Sequence, residues 1–104
     1  MSDAAIDDWL HVFSSLDTKL TREEIAALYG ARGWSVRKSS QLDYEVSCDW
    51  CELVIEAESP VLMHGVLADL TRAEEMVGPL RRGGISFVAE WYSQDHTLLR
   101  ELRS

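Results

Sequence analysis

Residues 42–57, LDYEVSCDWCELVIEA, form the stretch that decides the fold. Their apolar and polar side chains alternate, as in a half-buried strand, and the alternation changes phase at Asp49 and Trp50. A two-residue turn there would pair Cys48 with Cys51 and restore a single apolar face. That face would hold Tyr44, Val46, Cys48, Cys51, Leu53 and Ile55, and the opposite face Asp43, Glu45, Ser47, Glu52, Val54 and Glu56. The sequence therefore predicts a β-hairpin with one apolar and one acidic face.

The composition is that of a globular protein with an excess of acid. The 104 residues are 46% hydrophobic and 27% charged, with a formal net charge of −8, and their number suits one domain over 1–104. Residues 1–17 contain four Asp or Glu and residues 39–71 contain seven, with no Lys or Arg in either range. Such a surface repels nucleic acid and attracts a basic protein, although acidity that only maintains solubility explains the same composition.

No stretch of the sequence has the features of a membrane or targeting segment. No run approaches the ~18 apolar residues of a membrane helix, and residues 1–9 lack a basic region. We therefore expect a cytoplasmic protein without a membrane partner, in which Cys48 and Cys51 stay reduced.

Two helices are predicted in the N-terminal third. Residues 3–16 carry apolar side chains at helical spacing, with acidic residues in the first turn, where the helix dipole favours them. Residues 21–30 begin with Thr21 and Glu24, the spacing of a capping box. The box predicts that the second helix begins at this threonine.

A third helix is predicted in the second half of the chain. Thr71 and Glu74 repeat the capping-box spacing before an apolar stripe. Pro79 lacks a backbone donor, so we expect this helix to kink or end near Val77.

Strands are predicted around and beyond the central hairpin. Residues 34–37, 61–67 and 85–92 are interpreted as strands, because they are apolar or alternate with polar residues, although 61–67 could instead begin the next helix. Residues 97–102 are interpreted as a short terminal helix, with a strand paired back on Phe87 to Trp91 as the alternative. The expected fold is a two-layer α+β domain. Its mostly antiparallel sheet of four to five strands would be packed by the N-terminal helices and one crossover helix. The acidic face of the hairpin would then belong to the open side of the sheet.

Cys48 and Cys51 form the one motif with a chemical interpretation. A redox pair needs a helix N-terminus after its first cysteine, whereas Glu52-Leu53-Val54-Ile55 is a strand pattern with an acidic neighbour. A zinc site would need two further ligands, and His11, His64 and His96 are scattered along the chain. We therefore predict no metal and no cofactor, and interpret the two thiols as packing at the end of the hairpin.

The charge and the hairpin together favour a binding function over catalysis. We predict a non-catalytic, acidic protein-interaction module, monomeric or homodimeric, that binds or inhibits a basic protein partner. The predicted partner-binding residues are Glu45, Asp49, Trp50, Glu52 and Glu56. Trp50 is a candidate interface anchor, although it could equally fold back over the edge of the sheet.

A small ligand-binding or enzymatic domain is the alternative. Its pocket would lie between the helices and the sheet and would use His64, Glu56 and the Cys48/Cys51 pair. No sequence motif assembles a nucleophile, a base and an orienting group, so we predict no catalytic residue.

Overall fold

The protein, described here from a computed structural model over residues 9–39, 43–56 and 60–104, is built on one antiparallel sheet of seven strands. The strands are β1 (Leu10–Asp17), β2 (Ser35–Lys38), β3 (Tyr44–Cys48), β4 (Cys51–Glu56), β5 (Val61–Leu67), β6 (Ser86–Tyr92) and β7 (Leu98–Arg103). The α-helices are α1 (Arg22–Gly30) and α2 (Ala73–Arg82), the second preceded by a 3₁₀ turn at Leu70–Arg72. The predicted two-layer α+β fold with four to five strands is therefore wrong, because two further segments join the sheet.

The sheet has the order β2-β3-β4-β5-β1-β6-β7, and every neighbouring pair is antiparallel. The central hairpin is confirmed in register, since Cys48 lies opposite Cys51 and Val46 opposite Leu53. Residues 42 and 57, the ends of the predicted hairpin, lie outside the described residues. Helix α2 is the crossover element: it connects β5 to β6, which flank β1 on its two sides.

β1 lies between β5 and β6 in the sheet. A helix over residues 3–16 was predicted for this part of the chain. That prediction is wrong for the described part, and residues 1–8 lie outside it. Val12, Ser14 and Leu16 face the core with a period of two. A buried serine on the inner face and an exposed Phe13 on the outer face conceal this alternation, so the helical spacing fits the same residues.

β7 replaces the short terminal helix that was predicted over residues 97–102. It pairs with β6, with Ala89 opposite Leu102 and a register shift between Trp91 and Tyr92. The favoured helix is wrong and the alternative, a strand paired back on residues 87–91, is confirmed, because edge pairing with β6 satisfies the backbone of a segment whose own composition does not exclude a helix.

Of the two predicted capping boxes, the first forms and the second does not. In α1 the Thr21 N–H donates to Glu24 Oε1 at 2.8 Å and the Glu24 N–H donates to Thr21 Oγ1 at 3.1 Å, which confirms the first box. The second box is wrong, because Asp69 accepts from the Thr71 N–H at 3.0 Å and caps the 3₁₀ turn instead. Of the two effects predicted for Pro79, a kink or an end near Val77, the end is wrong, since the helix continues through Pro79 to Arg82.

Both helices pack on the same face of the sheet and bury one hydrophobic core. Their inward residues join the alternate residues of the strands; the largest fully buried side chains include Trp91, Tyr29, Leu16, Ile25, Leu53 and Ile55. The opposite face, which we call the open face, is not covered by any helix or strand within residues 9–39, 43–56 and 60–104. The fold thus leaves a seven-stranded surface available on one side.

Candidate protein-interaction surface

The register of the strands defines the open face residue by residue. Phe13 lies opposite His64, which lies opposite Val54, and the same row continues on the other side of β1 with Glu90. Residues directly opposite each other in an antiparallel pair share a face. The open face therefore includes His11, Phe13, Ser15, Asp17, Ser35, Arg37, Glu45, Ser47, Glu52, Val54, Glu56, Leu62, His64, Val66, Ser86, Val88, Glu90, Tyr92, Glu101 and Arg103.

Two exposed apolar side chains lie near the centre of the open face. Phe13 is 54% exposed and Leu62 is 37% exposed, on adjacent strands. The Tyr92 ring meets the Phe13 ring edge to face, with 5.9 Å between centroids and 72° between planes. We call Phe13, Leu62 and Tyr92 the apolar ridge. The sequence interpretation missed the ridge because it placed Phe13 on a helix; the alternation of Val12, Ser14 and Leu16 is the signal that could have found it.

Carboxylates lie on both sides of the apolar ridge, and most of them have partners. Arg37 Nη2 lies 2.6 Å from Glu45 Oε1, and Arg103 Nη2 lies 2.7 Å from Glu101 Oε2. The Glu56 carboxylate contacts the His64 ring. On the far side, the Tyr92 hydroxyl donates to Glu90 at 2.9 Å, and this hydrogen bond raises the pKa of Tyr92. The expectation of an acidic open face is thus fulfilled only around an apolar centre.

Glu52 differs from these paired carboxylates. It projects from β4 and is exposed to solvent. No hydrogen-bond or ion-pair partner of its side chain is found among residues 9–39, 43–56 and 60–104. An unpaired carboxylate beside paired ones is the group that a cation from outside would meet first.

A concave region of the open face lies over β2 to β5. This groove has a volume of about 640 Å³, and its lining includes Arg37, Glu45, Glu52, Val54, His64 and Val66. Its position coincides with a close approach of β4 to β5, because a Cβ at Gly65 would overlap the carbonyl oxygen of Glu52. Only glycine at this position allows the two backbones to come so near. We call this region the acidic groove.

The hairpin end, where Asp49 and Trp50 lie, is separate from the acidic groove. The Trp50 ring packs edge to face on Trp34, with centroids 5.3 Å apart, and the Arg72 guanidinium carbon lies 4.9 Å from the Trp50 centroid. Trp34 packs in turn on Tyr29 of α1. Trp50 is therefore turned toward the helix side of the sheet. The structure brings Glu45, Glu52 and Glu56 together on one face and places Trp50 away from them.

The two cysteines lie on the helix side and have unreactive surroundings. Both thiols are free, Cys48 half-buried and Cys51 fully buried. Burial raises the pKa of each thiol, and the negative charges of Asp49 near Cys48 and Glu52 near Cys51 raise it further. A redox-active cysteine requires the opposite shift.

The residues that were predicted to line the pocket of a ligand-binding or enzymatic domain lie on opposite faces of the sheet. His64 and Glu56 touch each other on the open face, whereas Cys51 belongs to the core on the helix side. The space between helices and sheet is filled by side chains such as Tyr29, whose hydroxyl donates to the Met76 carbonyl at 2.8 Å. Burial is the main reason that the pKa of Tyr29 is raised. Within the described ranges, no three His, Cys, Asp or Glu side chains come together as metal ligands.

No protein-family model, curated protein or solved structure matches this chain significantly. None of the helices in the described part of the chain is both long enough and apolar enough to cross a membrane.

Proposed function

We propose that this chain is a non-catalytic protein-interaction module of the cytoplasm that binds a basic protein through the open face. The observation that carries the proposal is the apolar ridge. Phe13 and Leu62 are exposed on a sheet face that no described element covers, with carboxylates on both sides. Binding would inhibit a partner whose basic surface carries its activity.

The physical logic is that of a protein interface with an apolar centre and a charged rim. Burial of a large aromatic side chain at the centre of an interface supplies much of the binding free energy. Carboxylates around it accelerate encounter with a positively charged partner and disfavour a negatively charged one. Glu45, Glu52 and Glu56 form the rim on one side of the ridge, and Glu90 and Glu101 the rim on the other.

The proposal is tested by site-specific crosslinking in cells. Photoreactive benzoylphenylalanine replaces Phe13 in one variant and Ala27, which is exposed on α1, in a control variant. We expect position 13, and not position 27, to capture a basic protein. The captured protein is then purified and its binding is measured with the unmodified chain.

Two variants test the proposal further with the purified partner. Phe13→Ser should weaken binding at least about tenfold, because it removes an interface anchor. Replacement of Glu45, Glu52 and Glu56 by Gln should slow association and flatten its dependence on salt. Equal crosslinking at positions 13 and 27, or an association rate at low salt that the three glutamines leave unchanged, would count against it.

A small-ligand or enzymatic domain is the second candidate, and one observation favours it. The acidic groove is concave, and His64 on its wall contacts Glu56, two residue types that serve as general acids and bases in enzymes. A screen of small metabolites by thermal shift would test it. A ligand that raises the melting temperature of the unmodified chain but not that of His64→Gln supports this candidate. A ligand that raises both melting temperatures equally counts against it.

A further inference from the structure

The acidic groove has the chemistry of a receptor for one side chain of the partner. We infer that the groove receives an arginine of the basic protein and that Glu52 and Glu45 accept its guanidinium. This inference rests on the proposed function, and it names the group that the groove recognises. It is carried by three features of the groove: its floor, the arrangement of its carboxylates and the guanidinium already present at its edge.

The floor of the groove suits the stem of a long basic side chain. Val54 and Val66 are half-buried in the lining, on the open side of β4 and β5. An arginine stem can pack on such apolar surface while its charged end remains among polar groups. A floor lined only by carboxylates would lack this contact.

The carboxylates of Glu45 and Glu52 stand on a diagonal of the hairpin. Glu45 lies opposite Val54 and Glu52 lies opposite Ser47, so the two acids project from neighbouring strands two residues out of register. Diagonal neighbours are separated by roughly 7–8 Å in such a pair. A guanidinium, which presents donors along two edges, can bridge two carboxylates at this spacing, whereas an ammonium is a point charge.

The chain itself shows how a guanidinium lies against this wall. Arg37, on the edge strand β2, places Nη2 at 2.6 Å from Glu45 Oε1. The Arg37 side chain is 73% exposed, so solvent weakens this pair and an incoming arginine can compete with it. Arg37 is thus an internal competitor for one of the two acceptors, and its removal should strengthen binding.

A second copy of the chain is a poor occupant of the groove. The two facing surfaces would bring Glu45, Glu52 and Glu56 of one copy toward the same residues of the other in a two-fold arrangement. Like charges in a desolvated contact oppose association. The charge of the groove therefore favours a basic partner.

The inference is tested with peptides as probes. The first is an acetylated and amidated peptide of repeating glycine, leucine and arginine. The second has citrulline, the neutral isostere, at each arginine position, and the third has lysine. Dissociation constants are measured by fluorescence anisotropy at low ionic strength with the full chain and its variants, Glu23→Gln on α1 being the control of equal charge change.

We expect the arginine peptide to bind more tightly than the lysine peptide, and the citrulline peptide to bind least. Glu52→Gln should weaken arginine-peptide binding about fivefold, the loss of one charge-assisted contact, and Glu23→Gln should have a far smaller effect. Arg37→Gln should tighten binding about threefold, because it releases Glu45.

Other outcomes overturn the inference and separate it from the proposed function. Equal effects of Glu52→Gln and Glu23→Gln would show that only the overall charge attracts the peptide. No detectable binding of the arginine peptide, or weaker binding by Arg37→Gln, would also exclude the groove as an arginine receptor. In each of these cases, crosslinking of a basic protein at position 13 would still support the open face as the binding surface.

Discussion

The two faces of the sheet are built from the same strands, but one is buried under the helices and the other is exposed. On β5, Leu67 faces the helices and is completely buried, whereas Leu62 faces outward and is 37% exposed. The helices supply partners for one face, with Tyr29, Met76 and Leu80 among the buried side chains. Within the described residues the other face has no such partners. The difference shows that hydrophobic side chains on the open face are not placed there to form the core.

An apolar surface that folding does not use is a surface that a partner can use. Soluble proteins usually keep contiguous exposed apolar patches small, and larger ones mark interaction sites. Phe13 and Leu62 of the ridge are exposed on the open face, and we propose that a partner covers them. This contrast can be tested by identical substitutions placed on opposite faces.

The largest effect is expected from leucine-to-alanine substitutions on the two sides of β5. Leu67→Ala should lower the free energy of unfolding by about 2–5 kcal/mol, because it leaves a cavity in the core. Leu62→Ala should lower it by less than about 1 kcal/mol, since its side chain is already in contact with water. Urea denaturation of both variants measures the difference, and similar losses would mean that the open face is covered in solution.

A second pair of substitutions examines the backbone contact beneath the acidic groove. Gly65→Ala should cost about 3 kcal/mol, because its Cβ would overlap the Glu52 carbonyl and force β4 and β5 apart. In Gly78→Ala of α2 the new Cβ meets no atom within 4 Å, and the gain in helix propensity is opposed by crowding from Pro79. We expect its unfolding free energy to change by less than about 1 kcal/mol in thermal denaturation. A tolerated alanine at position 65 would contradict the close approach of the two strands.

The smallest effect concerns the buried thiol on the helix side. Burial raises the pKa of Cys51 far above the ordinary thiol value of 9.0, so the folded chain keeps a proton that the unfolded chain loses in alkali. Stability is therefore unaffected well below pH 9 and falls as the pH rises through that value. Between pH 8 and pH 9.5 the loss should be roughly 1 kcal/mol.

Cys51→Ala provides the control for this pH dependence. Its unfolding free energy, measured by urea denaturation at each pH, should show a shallower decline over the same interval. A decline of equal slope in the variant would assign the effect to other groups.

The features that were predicted correctly from the sequence depend on contacts between residues that are close together in the chain. The hairpin joins residues that are adjacent across a two-residue turn, and its register follows from the alternation alone. The capping box of α1 joins Thr21 and Glu24, which are three residues apart. In both cases the partners of each residue lie within the same short segment of the chain.

The candidate site was predicted in part for the same reason. Glu45, Glu52 and Glu56 were assigned to one outer face by the hairpin pattern, and the structure places them on it. The apolar ridge was not predicted, because Phe13 reaches the open face only through the pairing of β1 with β5 and β6. The position of Trp50 depends likewise on contacts with Trp34 and Arg72 from two other segments.

The sequence by itself therefore determined the hairpin over β3 and β4, its acidic outer face and the start of α1, since local alternation and capping require no distant partner. Only the tertiary structure decided that residues 10–17 and 98–103 are strands and that Phe13 lies exposed among carboxylates. The physical reason is that a strand is stabilised by hydrogen bonds to its neighbours. For β1 those neighbours begin at Val61 and Ser86, far along the chain.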